Sequence, residues 1–478
     1  MNHTDVLIVG AGPTGLTAAT ILARYGVDVR IIDTKAGPVK ESRALGVQAR
    51  TLELWDKLGL AAQAVRDGQQ VNAVNLLTKR TLKHTNAQPF LMLDRGGSNV
   101  TPYPFMLVYE QNKTERMLLN DLHAHGTTVM WNTELVSLVQ RTDSVDVTLR
   151  TADGQEETVR ACYVIGADGV HSFVRRTLDV GFDGATYAES LFIADVDMHW
   201  SLPRDTFYLQ MPRHGLLAFF PMRGDGYTHD QYRIIGRVPR EWANKEHITH
   251  TDLQQLLNRY GVVRASVTNV GWTSIYRVHK RMAAQFRIHR VFLVGDAAHI
   301  HSPAGGQGMN TGIQDAWNLA WKVALVVRGE AQAILLNSYE PERMPIARTL
   351  LNGTDRGFSV QASSNYVVHV FRSVVLPLVA RLGLGDRLGA RVFKLVSQTW
   401  INYRNSPAVA GDRSAKTAQP GDRTPYARFD VGPHAGESIF MLLRGKLSQH
   451  LGTRYGPFVL AGRQQPSRTR FSFSRSRC

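Results

Sequence analysis

Apolar positions fall into three patterns along this chain. Short continuous blocks at residues 5–9 (DVLIV), 29–33 (VRIID), 158–165 and 291–294 (VFLV) have the length and β-branched content of strands buried in a parallel sheet. Helical spacing marks residues 16–25, 51–58 and 114–123. It returns near Met309, with Ile313, Ala316, Trp317, Ala320, Trp321 and Ala324 on one face, and runs on through 316–328, 340–351 and 371–397. From 191 to 285 the period drops to two: Phe192, Ala194, Val196, Met198 and Trp200, then Phe207, Leu209 and Met211, then Leu216, Ala218 and Phe220, with 232–238 and 267–276 continuing. This predicts an antiparallel sheet with one buried face, inserted between two halves of an α/β fold. Residues 145–149 and 158–165 flank the turn Asp153-Gly154, a hairpin signal. Weak alternation over 70–104, broken by Gly96-Gly97, Pro102 and Pro104, predicts an insertion of strands and loops.

The strand ends carry the chemistry. The first strand runs into Gly10-Ala-Gly12-Pro13-Thr14-Gly15 and a helix, and the second ends in Asp33. This is GxGxxG in its required strand–turn–helix context. Its glycines permit a tight turn and close approach of a pyrophosphate, the helix start attracts phosphate charge, and Asp33 suits a ribose. The motif itself leaves NAD and FAD both open. The strand 158–165 ends in Gly166-Ala-Asp168-Gly169, followed by His171, Ser172 and Arg175 at a helix start. The third site is the stretch 290–310, RVFLVGDAAHIHSPAGGQGMN. Gly295-Asp296 closes its strand; Gly305, Gly306 and Gly308 let amides approach a ligand, and the helix after them offers a positive dipole end to an anion, or to a ring that becomes anionic. Three such sites describe one dinucleotide held along the edge of one sheet. Arg43, in a basic loop at 35–50, suits a phosphate clamp or a cover over a ring, and equally a solvated surface position.

Composition narrows the classes. The 478 residues suffice for two or three domains, and 43% hydrophobic with 20% charged residues is ordinary for a soluble globular protein. The N-terminus lacks a signal-peptide pattern, and the apolar segment 374–380, between Arg372 and Arg381, is too short to span a bilayer. The two cysteines, Cys162 and Cys478, make neither a disulfide framework nor a CxxC redox pair, so a cytoplasmic protein is expected. The net charge of +16 is dispersed, apart from five arginines in the last sixteen residues, and no Lys/Arg run with interleaved aromatics occurs in the body of the chain. Nucleic-acid binding is therefore not expected, and the charge suits steering of anionic cofactors. No metal site is expected. No second GxGxxG follows a strand, which argues against a dedicated nicotinamide domain.

In their order and spacing, residues 10–15, 166–169 and 295–310 resemble the single-component FAD-dependent aromatic hydroxylases, the group of para-hydroxybenzoate hydroxylase, phenol and pentachlorophenol monooxygenases and polyketide-tailoring hydroxylases. The resemblance covers about 4–440. It implies an α/β fold: a Rossmann-like FAD-binding domain (1–75, 105–180 and 286–400) with an inserted antiparallel-sheet substrate domain (76–104 and 181–285). It also implies that Thr14 sits by the pyrophosphate and Asp33 by the ribose, that Arg43 and Gln111 contact FAD, and that Asp168 and Gly169 serve both FAD and NAD(P)H. Asp296 would bind the ribityl chain, with Gly295, Pro303 and Gly306 shaping the loop, and the backbone of Gly308, Met309 and Asn310 would meet the flavin's pyrimidine edge. A reduced flavin is anionic there, which the helix dipole favours. The implied activity uses NAD(P)H and O2, through a flavin hydroperoxide, to hydroxylate an aromatic or polyketide-like small molecule. The rivals are another flavoprotein oxidoreductase on this fold (dehydrogenase, halogenase or reductase) and an FAD-binding protein inactivated by a short C-terminus.

On the substrate side, Tyr208, His214, Tyr276 and Arg277 are candidates for favouring a phenolate, though no motif fixes any of them. His299 and His301 lie in the flavin loop and are expected to position backbone rather than to act as acid or base. Residues 402–426 read as a linker within a C-terminal unit, 401–478. Larger relatives place a thioredoxin-like domain after a PGDR-type linker, and 438–445 (SIFMLLRG) resembles its opening. Only 33 residues follow Gly445, so a shortened or frameshifted remnant is expected, with a disordered tail at 463–478. A homodimer is a further expectation.

Overall fold

In the computed structural model the continuous apolar blocks become neighbouring strands of one sheet. The structure describes residues 2–40, 42–77, 89–211, 215–224, 230–242, 245, 247–262, 265–302, 306–362, 385–411 and 419–423. The chain opens with β1 (Asn2–Val9), α1 (Pro13–Arg24) and β2 (Val29–Ile32), then α2 (Ala49–Lys57), α3 (Ala61–Asp67) and α4 (Gln111–Ala124). Next come β3 (Glu156–Gly166) and the short α5 (Phe173–Thr177). A second block holds β4 (Phe182–His199), β5 (Thr206–Gln210), β6 (Leu217–Pro221), β7 (Gln231–Arg237), α6 (His250–Arg259) and β8 (Ser266–Ala283). The chain then returns to the first block through β9 (Val291–Leu293), α7 (Gly308–Val327) and α8 (Tyr339–Ala362).

The first sheet runs in the order Arg287–Ile288, β9, β3, β1, β2, Val129–Met130, and the hairpin strands Val145–Arg150 and Glu134–Gln140 extend it from β3. The pairs β9–β3, β3–β1, β1–β2 and β2–Val129–Met130 are parallel. Val6, Leu7, Ile8, Val164, Ile165 and Phe292 are all buried, as strands covered on both faces require. Pro13 occupies the first turn of α1, where a missing N–H costs nothing. Helix α7 lies along α1 in the same core, its small residues Ala316, Ala320 and Ala324 allowing close approach.

The second sheet runs His299–Ile300, β8, β4, β7, β6, β5, Ala73–Leu76, Leu91–Met92. The period-two pattern is realised in β4, but in β5 and β6 the face shared with Phe192 carries Tyr208, Leu217 and Phe219 rather than Phe207 and Phe220, and both faces of this sheet are covered. Phe192, Ala194, Val196, Met198, Tyr208, Leu217, Phe219, Tyr232 and Ile234 pack against Leu253, Leu256 and Leu257 of α6, whose start is fixed by a Thr249–Asp252 capping box. On the opposite face Phe207 stacks on Phe220 at 4.5 Å and joins Leu45, Val71, Val108 and Met222. Val71 and Val108 belong to a three-stranded sheet (Gly46–Val47, Met106–Val108, Gln69–Val71) that joins the two blocks, Leu45 directly precedes it, and Met222 follows β6. Ala73–Leu76 belongs to the second sheet, so the division expected between 75 and 76 runs through a strand.

Among the described residues, no helix is long and apolar enough to cross a membrane. The expected linker is tied down where it is described: Ser406 donates to Glu342, and Arg423 is bonded to the buried Glu53 and to the Val100 carbonyl. The stretches 438–445 and 463–478 lie outside the described residues.

Candidate active site

Pairing register brings the three loops together. Val9 lies opposite Gly166, and Gly166 opposite Leu293, so the loops after β1, β3 and β9 leave one carboxyl edge side by side. That is where open α/β sheets bind ligands. Glycines interlock them. Gly10 has φ +104°, and a Cβ there would sit 2.4 Å from the Ala167 oxygen; a Cβ at Gly15 would sit 1.9 Å from the Gly10 oxygen. At Gly295 and Gly312 an added Cβ would meet the Thr14 hydroxyl at 2.8 and 2.4 Å, so Thr14 plugs the first loop into the third loop and α7. Gly12 differs: a Cβ there meets nothing within 4 Å. It faces a cradle.

Carboxylates and amides line that cradle. Asp33 accepts from Ala11 N at 2.7 Å and from Lys35 N at 2.9 Å, which fixes the turn to the end of β2. Asp168 accepts from Ser172 Oγ at 2.6 Å and Val174 N at 3.1 Å; its burial raises the carboxyl above the usual range, against the pull of Ser172. Arg175 ties the second loop to the third by donating to the Ala297 and Val170 carbonyls, both at 2.9 Å. Asp296 opens into the cleft yet has protein on most sides. That desolvation raises its pKa; His299 opposes the rise and Asp315 adds to it. Neither α1 nor α7 has a side-chain cap at its start, which leaves first-turn amides for an anionic ligand.

A buried polar network holds the third loop. Asp315 of α7 is fully buried and accepts from Gly295 N at 3.2 Å, His299 Nε2 at 2.6 Å and Arg343 Nε at 2.6 Å. Arg343 also reaches the Thr311 carbonyl and the Tyr403 hydroxyl. Burial alone would raise the Asp315 pKa, but Arg343 and His299 outweigh it and hold the carboxylate below its usual range. His301 stacks on His299, its rings 5.9 Å away; burial first, then His299, lowers its pKa to about 4. Asn310 spends its side chain inside the protein, accepting from Gln48 N and Thr51 Oγ1 and donating to the Gly46 and Gly306 carbonyls. Around Asn310, therefore, backbone rather than this side chain is offered to a ligand.

The Arg43 loop and the second sheet close the other side. Gln111 accepts from Ala44 N at 3.3 Å and donates to Glu115 at 3.0 Å, bracing the loop. The Arg43 carbonyl accepts from Arg233 at 3.4 Å. Arg233, on β7, is wholly buried and grips Asp195 of β4 through two bonds of 2.6 Å while lying over the Trp272 ring. Tyr276 on β8 is half-buried; burial raises its pKa, while the charges of Arg233 and Arg43 pull it down.

A family model described as an FAD binding domain matches residues 3–354. The chain belongs to the FAD-dependent aromatic hydroxylases. It is 34% identical over 451 residues to pentachlorophenol 4-monooxygenase of Sphingobium chlorophenolicum, covering 89% of this chain and 76% of that one. To 6-methylpretetramide 4-monooxygenase of Streptomyces rimosus it is 36% identical over 436 residues, covering 90% and 76%. The structure of OxyS anhydrotetracycline hydroxylase from Streptomyces rimosus superposes with a TM-score of 0.70 at 28% identity, covering 92% of this chain and 83% of that one. The protein is thus a flavin-dependent monooxygenase with FAD as cofactor, and the open position at Gly12, the uncapped helix starts and the carboxylates along one edge fit that group.

In this hydroxylase the structure gathers Gly10, Gly12, Pro13, Thr14, Gly15, Asp33, Asp168, Gly169, Gly295, Asp296, Gly306, Gly308, Met309 and Asn310 on and around the three-loop edge, with Arg43 and Gln111 beside it. Pro303 and His214 lie outside the described residues. Tyr208 is a correction: its side chain is buried on the α6 side of the second sheet, 5.2 Å from Trp200, and its hydroxyl donates to the Pro203 carbonyl at 3.1 Å. It is core, because strand alternation turns it away from the face that carries Phe207. Arg277 is exposed. Four contributors went unread: Asp315 and Arg343, whose pairing needs two helices brought together, Gly312, and Arg233, a cation within β7 whose partner is set by register with β4.

Proposed function

We propose that this enzyme uses NAD(P)H and O2 to hydroxylate an aromatic or polyketide-like small molecule held between the three-loop edge and the Arg233–Tyr276 side of the second sheet. The observation that carries this is Arg233: a buried, carboxylate-paired cation of the second sheet that is bonded to the Arg43 loop. Bound FAD supplies hydride acceptance from the nicotinamide and oxygen transfer to an electron-rich carbon.

The chain's own residues do the rest. Gly12, Thr14 and the start of α1 take the pyrophosphate, Asp33 the ribose, Asp296 the ribityl chain, and the amides at 308–310 with the dipole of α7 the anionic end of the ring. Asp168 and Gly169, at the second loop, would serve both cofactor and reductant. Arg43 favours the phenolate form of a substrate hydroxyl, since a nearby positive charge lowers its pKa, while Arg233, its own charge matched by Asp195, holds the Arg43 loop by its carbonyl. Tyr276 keeps its own proton at neutral pH and can donate it in a hydrogen bond. Phe207, Phe220 and Ile235 help keep water out. A discontinuous cofactor domain (1–72, 105–180, 286–400) and an inserted substrate domain (73–104, 181–285), with the first boundary moved to the start of the Ala73–Leu76 strand, are the matching division of labour. The relatives' names, pentachlorophenol and 6-methylpretetramide monooxygenases, support ring-bearing substrates.

The test is oxygen. Purified protein with flavin absorbance is mixed with NAD(P)H and members of a phenol and polycyclic library. Faster NAD(P)H oxidation, with labelled oxygen entering the product, is the expected result. Substrate turnover that proceeds without oxygen would favour a dehydrogenase or reductase and overturn the reading.

A further inference from the structure

A cavity opens between α3 and α4. It has a volume of about 390 Å³ and is walled by Gln63, Arg66 and Asp67 on α3, by Lys113, Arg116, Met117 and Asn120 on α4, and by Tyr109, Arg223 and Gly224. Four cations face one carboxylate there. Asp67 is paired with Arg66 at 3.4 Å, and Lys113 is held by Glu110 at 3.0 Å and by the Arg223 carbonyl at 2.7 Å. Arg116 bonds only the Asn112 carbonyl, and Arg223 the Arg66 carbonyl, so among the described residues neither guanidinium meets a carboxylate. Each keeps planar N–H donors for an outside acceptor.

The cavity also bridges the two blocks of the molecule. Arg223 follows β6 of the second sheet and donates to α3 of the first block, while Lys113 on α4 reaches back to the Arg223 carbonyl. Pockets favour such junctions, and forked guanidinium donors with amide side chains suit phosphate oxygens, which they grip bidentately. Tyr109 and Met117 add an apolar strip beside the cations. Nothing in the hydroxylase reading uses these residues. We propose that this junction binds a phosphate-bearing small molecule, recognised by Arg66, Arg116 and Arg223. Two sources share that chemistry: the phosphates of the dinucleotide reductant, which rests on the NAD(P)H reading above, and a free phosphorylated metabolite.

The experiment titrates the FAD-loaded enzyme with inorganic pyrophosphate by calorimetry and repeats it on R66E, R116E and the double variant. Both positions carry exposed side chains, so flavin content and melting temperature should stay at wild-type values. Binding to the wild type should be saturable, should weaken as salt rises, and should fall about tenfold for each charge reversal. D67N, which removes the opposing carboxylate, should bind more tightly. Steady-state kinetics then separate the sources. A KM for NADPH that rises in the double variant with kcat unchanged assigns the site to the reductant; a KM that stays put while pyrophosphate binding is lost assigns it to a separate metabolite. Absence of pyrophosphate binding in the wild type, or equal binding in the double variant, overturns the site, and neither result depends on whether the enzyme oxidises NAD(P)H.

Discussion

The cofactor edge and the facing sheet solve the same problem, holding a flat ligand, by different means. At the edge, Gly10, Gly15, Gly295 and Gly312 sit where an added methyl would overlap backbone or Thr14, and a buried Asp315–Arg343–His299 cluster fixes the loop from behind. On the sheet, Arg233 and Tyr276 are held by cross-strand neighbours and one charge pair, with no glycine turn or helix start involved. The edge is made by steric exclusion, which tolerates little. The sheet face is made by side-chain identity on a regular backbone, which can change while the fold stays. At the interlocked glycines cofactor binding should accordingly fail together with folding, whereas on the sheet substrate recognition should fail alone.

The largest break in this contrast comes from two neighbouring glycines. G10A places a methyl against Ala167 at a positive φ and should cost about 4 kcal/mol, with little soluble, flavin-loaded protein recovered. G12A places its methyl in open space, so the melting temperature of the FAD-free protein should match the wild type while FAD affinity drops. Equal melting temperatures for G10A and wild type would show that the loops are not interlocked.

These glycines also show what was legible beforehand. GAGPTG, Gly166–Gly169 and Gly295–Asp296 each carry their context within a dozen residues, so the sheet edge could be read from the chain alone. Their side-by-side register, Val9–Gly166–Leu293, then follows from parallel pairing. Asp315 was not legible. It lies on the same helix as the apolar stripe and looks like any polar residue of an amphipathic helix until Arg343 and His299 meet it. Arg233 and Asp195 needed the β4–β7 register. Tyr208 was misplaced for a related reason: period two says that alternate residues share a face, but not which face looks at the cofactor, and here both are covered.

D315N sharpens the contrast from behind the edge. It leaves the Arg343 guanidinium buried without its counter-charge and should cost about 3 kcal/mol, read as a lower melting temperature and weaker FAD retention. The pH dependence separates this charge effect from simple loss of packing. Arg343 and His299 hold the folded-state pKa of Asp315 below its unfolded value. Its stabilisation is therefore present above the ordinary carboxylate range and is lost as pH falls through the lower, folded-state value. Wild type should lose stability along that acid limb, and D315N should lose less of it. Parallel acid curves for the two proteins would contradict the network.

The smallest effect, and the finest comparison, pits two tyrosines of the second sheet against each other. Y208F removes a hydroxyl that donates to the Pro203 carbonyl at 3.1 Å inside the α6-side core, so it should cost about 1 kcal/mol in denaturant unfolding and leave kcat and substrate KM unchanged. Y276F removes a hydroxyl that lies near Arg233 and Arg43, with no described bond to protein. Its unfolding should match the wild type, while substrate KM rises and the pH profile of turnover shifts as one donor to the substrate oxygen is lost. The two readouts should thus move in opposite columns: stability without kinetics for position 208, kinetics without stability for position 276. If Y208F altered KM and Y276F altered only stability, the face assigned to the substrate would be reversed, with the ligand on the α6 side of the sheet.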